Sequence, residues 1–394
     1  MVENWPYFPY IYIKRIYMKE NRICVYAISK NESENVDKWA DSMLEADCVV
    51  VLDTGSSDDT VEKLKNRGIT VETKVIKPWR FDVARNESMK LVPDDCNILV
   101  CTDLDEVFEP GWADILREKW VEGKTRMCWY KYSWSHDSFG NPDRIFWYNK
   151  IHCRGYKWKY IVHELLVENG TMDMSDMEDL YTNDIMLHHW PVQKEGRDTY
   201  LPLLIERAKE AYDENDEDIM GALYLCHHYA FAGLYEESNK EINKFILKFR
   251  EQAGSFMTSN ALLFMGRNYL NMGVKDDAEK YYKKAIEVCP TYRDPYIELG
   301  ELYISKNEYG LAKSTLIDGL KLSYRYFSWL ESNNSFNHHI YDLLDLACYY
   351  SGDKKNALLF AEKAFRMCPG DKRLEDNIKI IVDSISDDEL CDIQ

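Results

Sequence analysis

Between Asn97 and Phe108 the chain runs Ile98-Leu99-Val100-Cys101-Thr102-Asp103-Leu104-Asp105-Glu106-Val107. The short unbroken apolar run reads as a strand buried on both faces. Three carboxylates then appear within four positions, where that strand reaches its carboxyl end. Open α/β sheets bind their ligands at this edge. Two carboxylates one residue apart suit a hard divalent cation shared with a phosphate-bearing substrate, because such a cation takes one or two protein oxygens and phosphate oxygens besides. An isolated Asp-x-Asp is equally a solvated turn, so the weight comes from its surroundings.

Ile23-Cys24-Val25-Tyr26-Ala27-Ile28-Ser29 reads as a first strand, closed by Lys30-Asn31-Glu32-Ser33 and followed by a helical pattern through Trp39, Met43 and Leu44. Cys48 to Leu52 is a second buried strand. It runs into Asp53-Thr54-Gly55-Ser56-Ser57-Asp58-Asp59-Thr60, a turn rich in N-cap candidates for the helix through Val61 and Leu64. Val71 to Ile76 supplies a third strand, Phe81 to Ser88 opens another helix, and Ile98 to Cys101 is the fourth strand. Strands alternating with helices at this spacing predict βαβ units. From 126 to 190 aromatic and basic residues interleave in short runs, such as Trp129, Tyr130, Tyr132 and Trp134. They predict a β-rich section, serving as ordinary strand packing or as one wall of a binding cleft.

From about residue 196 the pattern turns helical and repeats. Gly266, Tyr269 and Ala278 return 34 positions on as Gly300, Tyr303 and Ala312. Ala278 and Ala357 are each followed by a proline 12 positions later, Pro290 and Pro369. Thirty-four is the tetratricopeptide period. A weaker unit lies around Leu225 to Phe249, and an insertion falls near Tyr326–His338. Stacked repeats form a solenoid whose concave face takes up a peptide or another subunit, so a protein partner or pairing of two copies of the chain is expected.

Composition narrows the partners. A formal net charge of −19 opposes a nucleic-acid backbone or an anionic membrane surface as the main partner. No stretch approaches a membrane span, and residues 1–20 hold no signal-peptide core; they read as an aromatic N-terminal arm. Eleven cysteines without a Cys-x-x-Cys pair point away from a zinc site and from a disulfide framework, and toward a reducing cytoplasm. Cys24, Cys48 and Cys101 read as small buried hydrophobes.

Four ordered motifs then carry a resemblance: Ala27-Ile28-Ser29-Lys30-Asn31-Glu32, Val51-Leu52-Asp53-Thr54-Gly55-Ser56-Ser57-Asp58-Asp59-Thr60, Phe81-Asp82-Val83-Ala84-Arg85-Asn86, and Thr102-Asp103-Leu104-Asp105-Glu106. Together they resemble the family 2 glycosyltransferases of the GT-A fold. With the repeats, the whole chain looks like the subgroup that includes bacterial peptide S-glycosyltransferases. Tyr160-Ile161-Val162-His163-Glu164 and Leu187-His188-His189 carry that closer likeness. The resemblance implies an α/β GT-A (Rossmann-like nucleotide-sugar) domain over residues 21–195, after the arm, and an all-α tetratricopeptide-like solenoid over 196–394. It also implies metal-dependent, inverting transfer of a hexose from a UDP-sugar to a peptide or protein.

The same resemblance assigns roles. Backbone groups near Ala27 and Ile28, with Glu32 close by, would hold the base, and Asp53 would accept the uracil N3–H, which cytosine lacks. Arg85 would meet nucleotide oxygens, and Asn86 would add an amide contact or cap the helix. Asp103 would contact the ribose or donor sugar, and Asp105 would ligate Mn²⁺ or Mg²⁺, with Glu106 supporting the loop. His188 or His189 would supply a further ligand, His188 being preferred by comparison with related chains. Leu104, where relatives often carry a small residue, would point away from the carboxylates. Inverting transfer needs a base to take the acceptor proton; Glu164 is nominated, with Asp137 as the alternative. A thiol acceptor needs that base less. Competing readings are a glycan or modified-nucleobase acceptor, or a catalytically silent repeat scaffold. The acidic charge counts against DNA, and intact Arg85, Asp103 and Asp105 count against a silent scaffold.

Overall fold

In the computed structural model, residues 21–137, 140–191, 200–213 and 218–385 are described. The arm expected over residues 1–20 and the junction expected near 195 lie outside them.

The apolar runs assemble as their periodicity demands. β1 (Ile23–Ser29), β2 (Cys48–Asp53), β3 (Thr70–Thr73) and β4 (Ile98–Thr102) pair in parallel in the order β3-β2-β1-β4. Between them run α1 (Val36–Met43), α2 (Thr60–Asn66) and α3 (Phe81–Met89). Parallel crossovers bring every carboxyl end to one edge, so Ser29 lies opposite Asp53, and Ala27 opposite both Val51 and Thr102. β3 stops at Thr73, short of Ile76, because its partner there is Asp53, the last residue of β2.

The sheet continues beyond β4 through β7 (Ile145–His152), β6 (Thr125–Ser133), β10 (Glu178–His189) and β5 (Glu106–Phe108), eight strands among the described residues. β7 runs antiparallel to β4, and β10 runs parallel to β6 and antiparallel to β5. α4 (Trp112–Lys119) follows β5, and β8 (Tyr156–Lys159) with β9 (Leu165–Glu168) makes a separate hairpin. This is the β-rich section expected from the aromatic runs.

The described residues divide into two compact units. One takes the chain through Ser135, Trp147–Tyr160, and the stretch from Glu164 through β10; the other takes His136–Phe146, Ile161–His163 and the helices that follow. In the second unit α5 (Tyr200–Asp213) precedes helical pairs: α6 (Ile219–Phe231) with α7 (Tyr235–Phe249), and α8 (Gly254–Asn271) with α9 (Lys275–Val288). α10 (Asp294–Ser305) pairs with α11 (Tyr309–Leu320), α12 (His339–Tyr350) pairs with α13 (Lys354–Met367), and α14 (Lys372–Ser384) follows.

The offset of 34 has a packing cause. A Cβ on Gly266 would stand 2.4 Å from the Tyr282 ring, and one on Gly300 would stand 2.5 Å from Leu316. Tyr282 and Leu316 share the same spacing, so each glycine lets the second helix of a pair press its large side chain against the first. Ala278, Ala312 and Ala357 are fully buried. The expected insertion is residues 321–338, which hold no α-helix. Asp294 pins it: Oδ2 accepts from Ser332 N at 2.7 Å, and Oδ1 accepts from Ser335 Oγ at 2.6 Å. Among the described residues no helix is long and apolar enough to cross a membrane.

Candidate active site

Past Thr102 the chain turns at once. Glu106 N donates to Asp103 O at 3.1 Å, and Asp103 N donates to Glu106 Oε2 at 2.9 Å. This reciprocal pair closes a four-residue turn whose Leu104 is buried, as expected of a side chain directed away from the aspartates. Glu106 is also buried, and its Oε1 accepts from Tyr132 Oη at 3.1 Å. These bonds tie Glu106 into the turn.

Asp103 is held between two cations. Arg85 on α3 donates from Nη2 to both its oxygens, at 2.9 and 3.1 Å, and Lys150 Nζ on β7 stands 3.0 Å from Oδ2. Lys150 Nζ also reaches Glu106 Oε1 at 3.4 Å, while Arg85 Nε pairs with Glu164 Oε1. Arg85 and Lys150 are 4% and 6% exposed, so these ion pairs are desolvated and one partner cannot be lost cheaply. Burial pushes the Asp103 carboxyl up, but Arg85 and Lys150 outweigh it and hold it well below the usual carboxylate range. Glu106 moves the other way, raised by burial and by Asp103 and Asp105 against the pull of Lys150.

Asp105 faces a different partner. His189, at the end of β10, brings Nε2 to 3.3 Å from Asp105 Oδ2, and its Nδ1 lies 3.3 Å from Trp134 O. A carbonyl can only accept, so Nδ1 carries a hydrogen. Burial pushes the imidazole pKa down but Asp105 holds it up, with Nε2–H donating to Asp105 Oδ2, and Nε2 is the nitrogen that would turn to a cation in exchange for that proton. A carboxylate oxygen and an imidazole nitrogen braced through its other ring atom form a donor set suited to a divalent cation.

The family described as Glycosyl transferase family 2 matches residues 24–174, a span that takes in the strands from β1 to β9 and the whole acidic turn. Residues 24–174 are a family 2 glycosyltransferase domain. The chain is therefore a glycosyltransferase acting from a nucleotide-sugar donor. A second family, tetratricopeptide repeat, matches residues 259–292 across α8 and α9. The fold is thus a GT-A domain followed by tetratricopeptide-like helices. No curated protein matches the chain. Among solved structures it is similar to a MamA double mutant (RS-1 ArsTM), at 15% identity and a TM-score of 0.36 over 43% of this chain and 86% of that one. It is similar to a thermophilic TPR protein of Thermus thermophilus, at 20% identity and 0.32, over 47% and 90%. It is also similar to the apo quorum sensor NprR of B. thuringiensis, at 15% and 0.36, over 46% and 52%.

Within the glycosyltransferase domain, the residues singled out from sequence separate into those that meet and those that do not. Arg85, Asp103 and Glu164 meet directly. Ala27 and Ile28 lie near the end of β1, beside the Asp53 turn. Glu32 is tied into its own turn, Oε2 accepting from Asn35 Nδ2 at 2.8 Å. Asp53 does not offer an open oxygen to a base. It is 1% exposed; Oδ2 accepts from Gly55 N and Ser56 N at 3.0 Å each, and Oδ1 accepts from the Ser29 and Ser56 hydroxyls. Those four donors match the carboxylate's four acceptor positions, so Asp53 shapes the turn. Gly55 serves it with a φ of 109°.

Asn86 is likewise structural: Nδ2 donates to Trp158 O at 2.8 Å, and Oδ1 accepts from Trp158 N at 2.9 Å, clamping β8 to α3. The preferred histidine also changes. His188 pairs with Glu109, Nε2 to Oε1 at 3.1 Å, and His189 is the one at Asp105. Neighbouring strand residues face opposite ways, and the β10–β5 register sets His189 against Glu106 and His188 against Val107. Asp137 falls in the second unit, where its carboxylate accepts from Asn141 N at 2.8 Å and Nδ2 at 3.0 Å.

Sequence reasoning missed Lys150. A signal was present, because alternation along β7 sets this one cation on a face with Phe146, Tyr148 and His152.

Proposed function

We propose that the chain transfers a sugar from a UDP-sugar to a peptide or protein, with inversion, at a divalent-cation site formed by Asp105 and His189. The observation that carries this reading is the approach of His189 Nε2 to Asp105 Oδ2 at 3.3 Å, one turn residue from an Asp103 already neutralised by Arg85 and Lys150. Mixed carboxylate and imidazole ligation favours Mn²⁺ over Mg²⁺, which prefers oxygen alone. The cation's chemistry at such a site is neutralisation of the charge that develops on a departing nucleoside diphosphate.

The chain's own groups supply the rest. Arg85 and Lys150 fix Asp103 toward the donor and keep it ionised. Asp53 braces the turn beside Ala27 and Ile28, leaving base recognition to backbone groups. Glu164 Oε1 is taken by Arg85; among the described residues Oε2 has no hydrogen-bond partner, so it is the oxygen for the acceptor proton. Tyr160 and His163, just before Glu164, both hold left-handed φ values, 85° and 49°, a backbone state that costs energy in residues of this size and is common at working sites. The tetratricopeptide match supports a peptide or protein as the acceptor.

Calorimetric titration of UDP and a panel of UDP-sugars, with and without Mn²⁺, tests this reading. Binding should require Mn²⁺, vanish in Asp105→Ala, weaken at least about tenfold in His189→Ala, and hold in His188→Ala. Failure of UDP to bind with Mn²⁺ present would overturn it. Equal losses in the two histidine variants would overturn the assignment of His189.

A further inference from the structure

At the opposite ends of the same parallel strands, three thiols converge. Cys24 is the second residue of β1, Cys48 the first of β2, and Cys96 lies two residues before β4. Their Sγ atoms all lie within 4.8 Å of one another, and among the described residues no other three His, Cys, Asp or Glu side chains bring ligand atoms so close. The sheet itself holds them there. Cys24 and Cys48 are register partners. Cys96 is drawn alongside because Asn97 N and Ile98 N donate to Arg22 O at 3.2 and 3.1 Å, while Arg22 N donates to Asn97 Oδ1 at 2.8 Å. Sites mounted on strands in this way lose little freedom on binding.

Packing alone does not call for sulfur. The surrounding cluster is apolar, with Tyr26, Val50, Val92 and Leu99, and offers the thiols no polar side chain that would need them as partners. Cys24 and Cys96 are buried and Cys48 is half-buried, so the cluster has an interior and an opening. The Arg22–Asp95 ion pair joins the segments at this end of the strands, and Asp95 Oδ1 stands 3.8 Å from Cys96 Sγ.

We propose that Cys24, Cys48 and Cys96 bind one thiophilic d¹⁰ cation, Zn²⁺, as thiolates, at a site separate from the acidic edge. Tetrahedral Zn–S bonds of about 2.3 Å set sulfurs about 3.8 Å apart, so the thiols need close by no more than about 1 Å. Binding releases three thiol protons to solvent and leaves a net charge of −1, which Arg22 faces. Asp95 is an oxygen donor within reach of the fourth position. The cation ties β1, β2 and the approach to β4 together, stabilising the folded chain by linkage.

The test uses the full chain, reduced and stripped with chelator, with Zn²⁺ and Co²⁺ as probes. Asp105→Asn removes competition from the acidic edge. In that background one Zn²⁺ should bind per chain, Co²⁺ should give thiolate charge-transfer absorption, and Zn²⁺ should raise the Tm. Cys48→Ser and Cys96→Ser should each weaken binding at least about tenfold and abolish the absorption. A Co²⁺ spectrum without thiolate absorption in the unmodified cysteine background would overturn the proposal, and that measurement does not depend on any cysteine variant folding. So would unchanged Zn²⁺ stoichiometry in Cys48→Ser, or a Cys24–Cys48 disulfide in the protein as isolated under reducing conditions.

Discussion

Lys150 shows how much one side chain carries in a dry network. Its ammonium lies between Asp103 and Glu106, and both Lys150 and Glu106 are buried. Lys150→Met would leave two carboxylates short of a cation, so the unfolding free energy measured in urea should fall by about 3 kcal/mol. Arg85→Lys tests geometry at constant charge. A guanidinium spans Glu164 and Asp103 at once, whereas a single ammonium cannot, so kcat/KM should drop about tenfold or more while the circular dichroism spectrum is retained. Arg85 and both aspartates were legible in the sequence because their residue types and order carry the chemistry. The filled acceptor positions of Asp53 were not, since Ser29 is brought to it only by strand pairing.

At the scale of elements, the glycine repeats and the β10 register do different work. Gly300→Ala would put a methyl group 2.5 Å from Leu316, displacing α11 from α10. A loss of about 1–3 kcal/mol in stability is expected, read from the urea midpoint, and Gly310→Ala, with open space around its Cβ, serves as the control. Helix pairs of this kind announce themselves in sequence, because a close approach must recur wherever the pair recurs. Strand register does not. A slip of one residue in β10 would exchange His188 for His189 at Asp105, and nothing within Leu187-His188-His189 distinguishes the two.

At the scale of the whole molecule, stability should respond to pH through Asp345 in α12. Burial raises its carboxyl to about 7, with Asp342 adding to the effect and Asn377 and Arg373 opposing it. The native chain then keeps a proton that the unfolded chain gives up near 3.8, so stability falls as pH rises from about 4 to about 7. Asp345→Asn should remove that loss, melting alike with the parent at about pH 4 and proving more stable by about 2–4 kcal/mol at about pH 8. The sequence by itself determined the α/β class, the helical repeats, and the edge where the acidic turn stands, because hydrophobic period and turn chemistry are local properties of the chain. Only the tertiary structure decided that Lys150 neutralises Asp103, that His189 faces Asp105, and that Cys24, Cys48 and Cys96 share one pocket. Those partners are far apart in sequence and meet through strand order and register, to which no local pattern is sensitive.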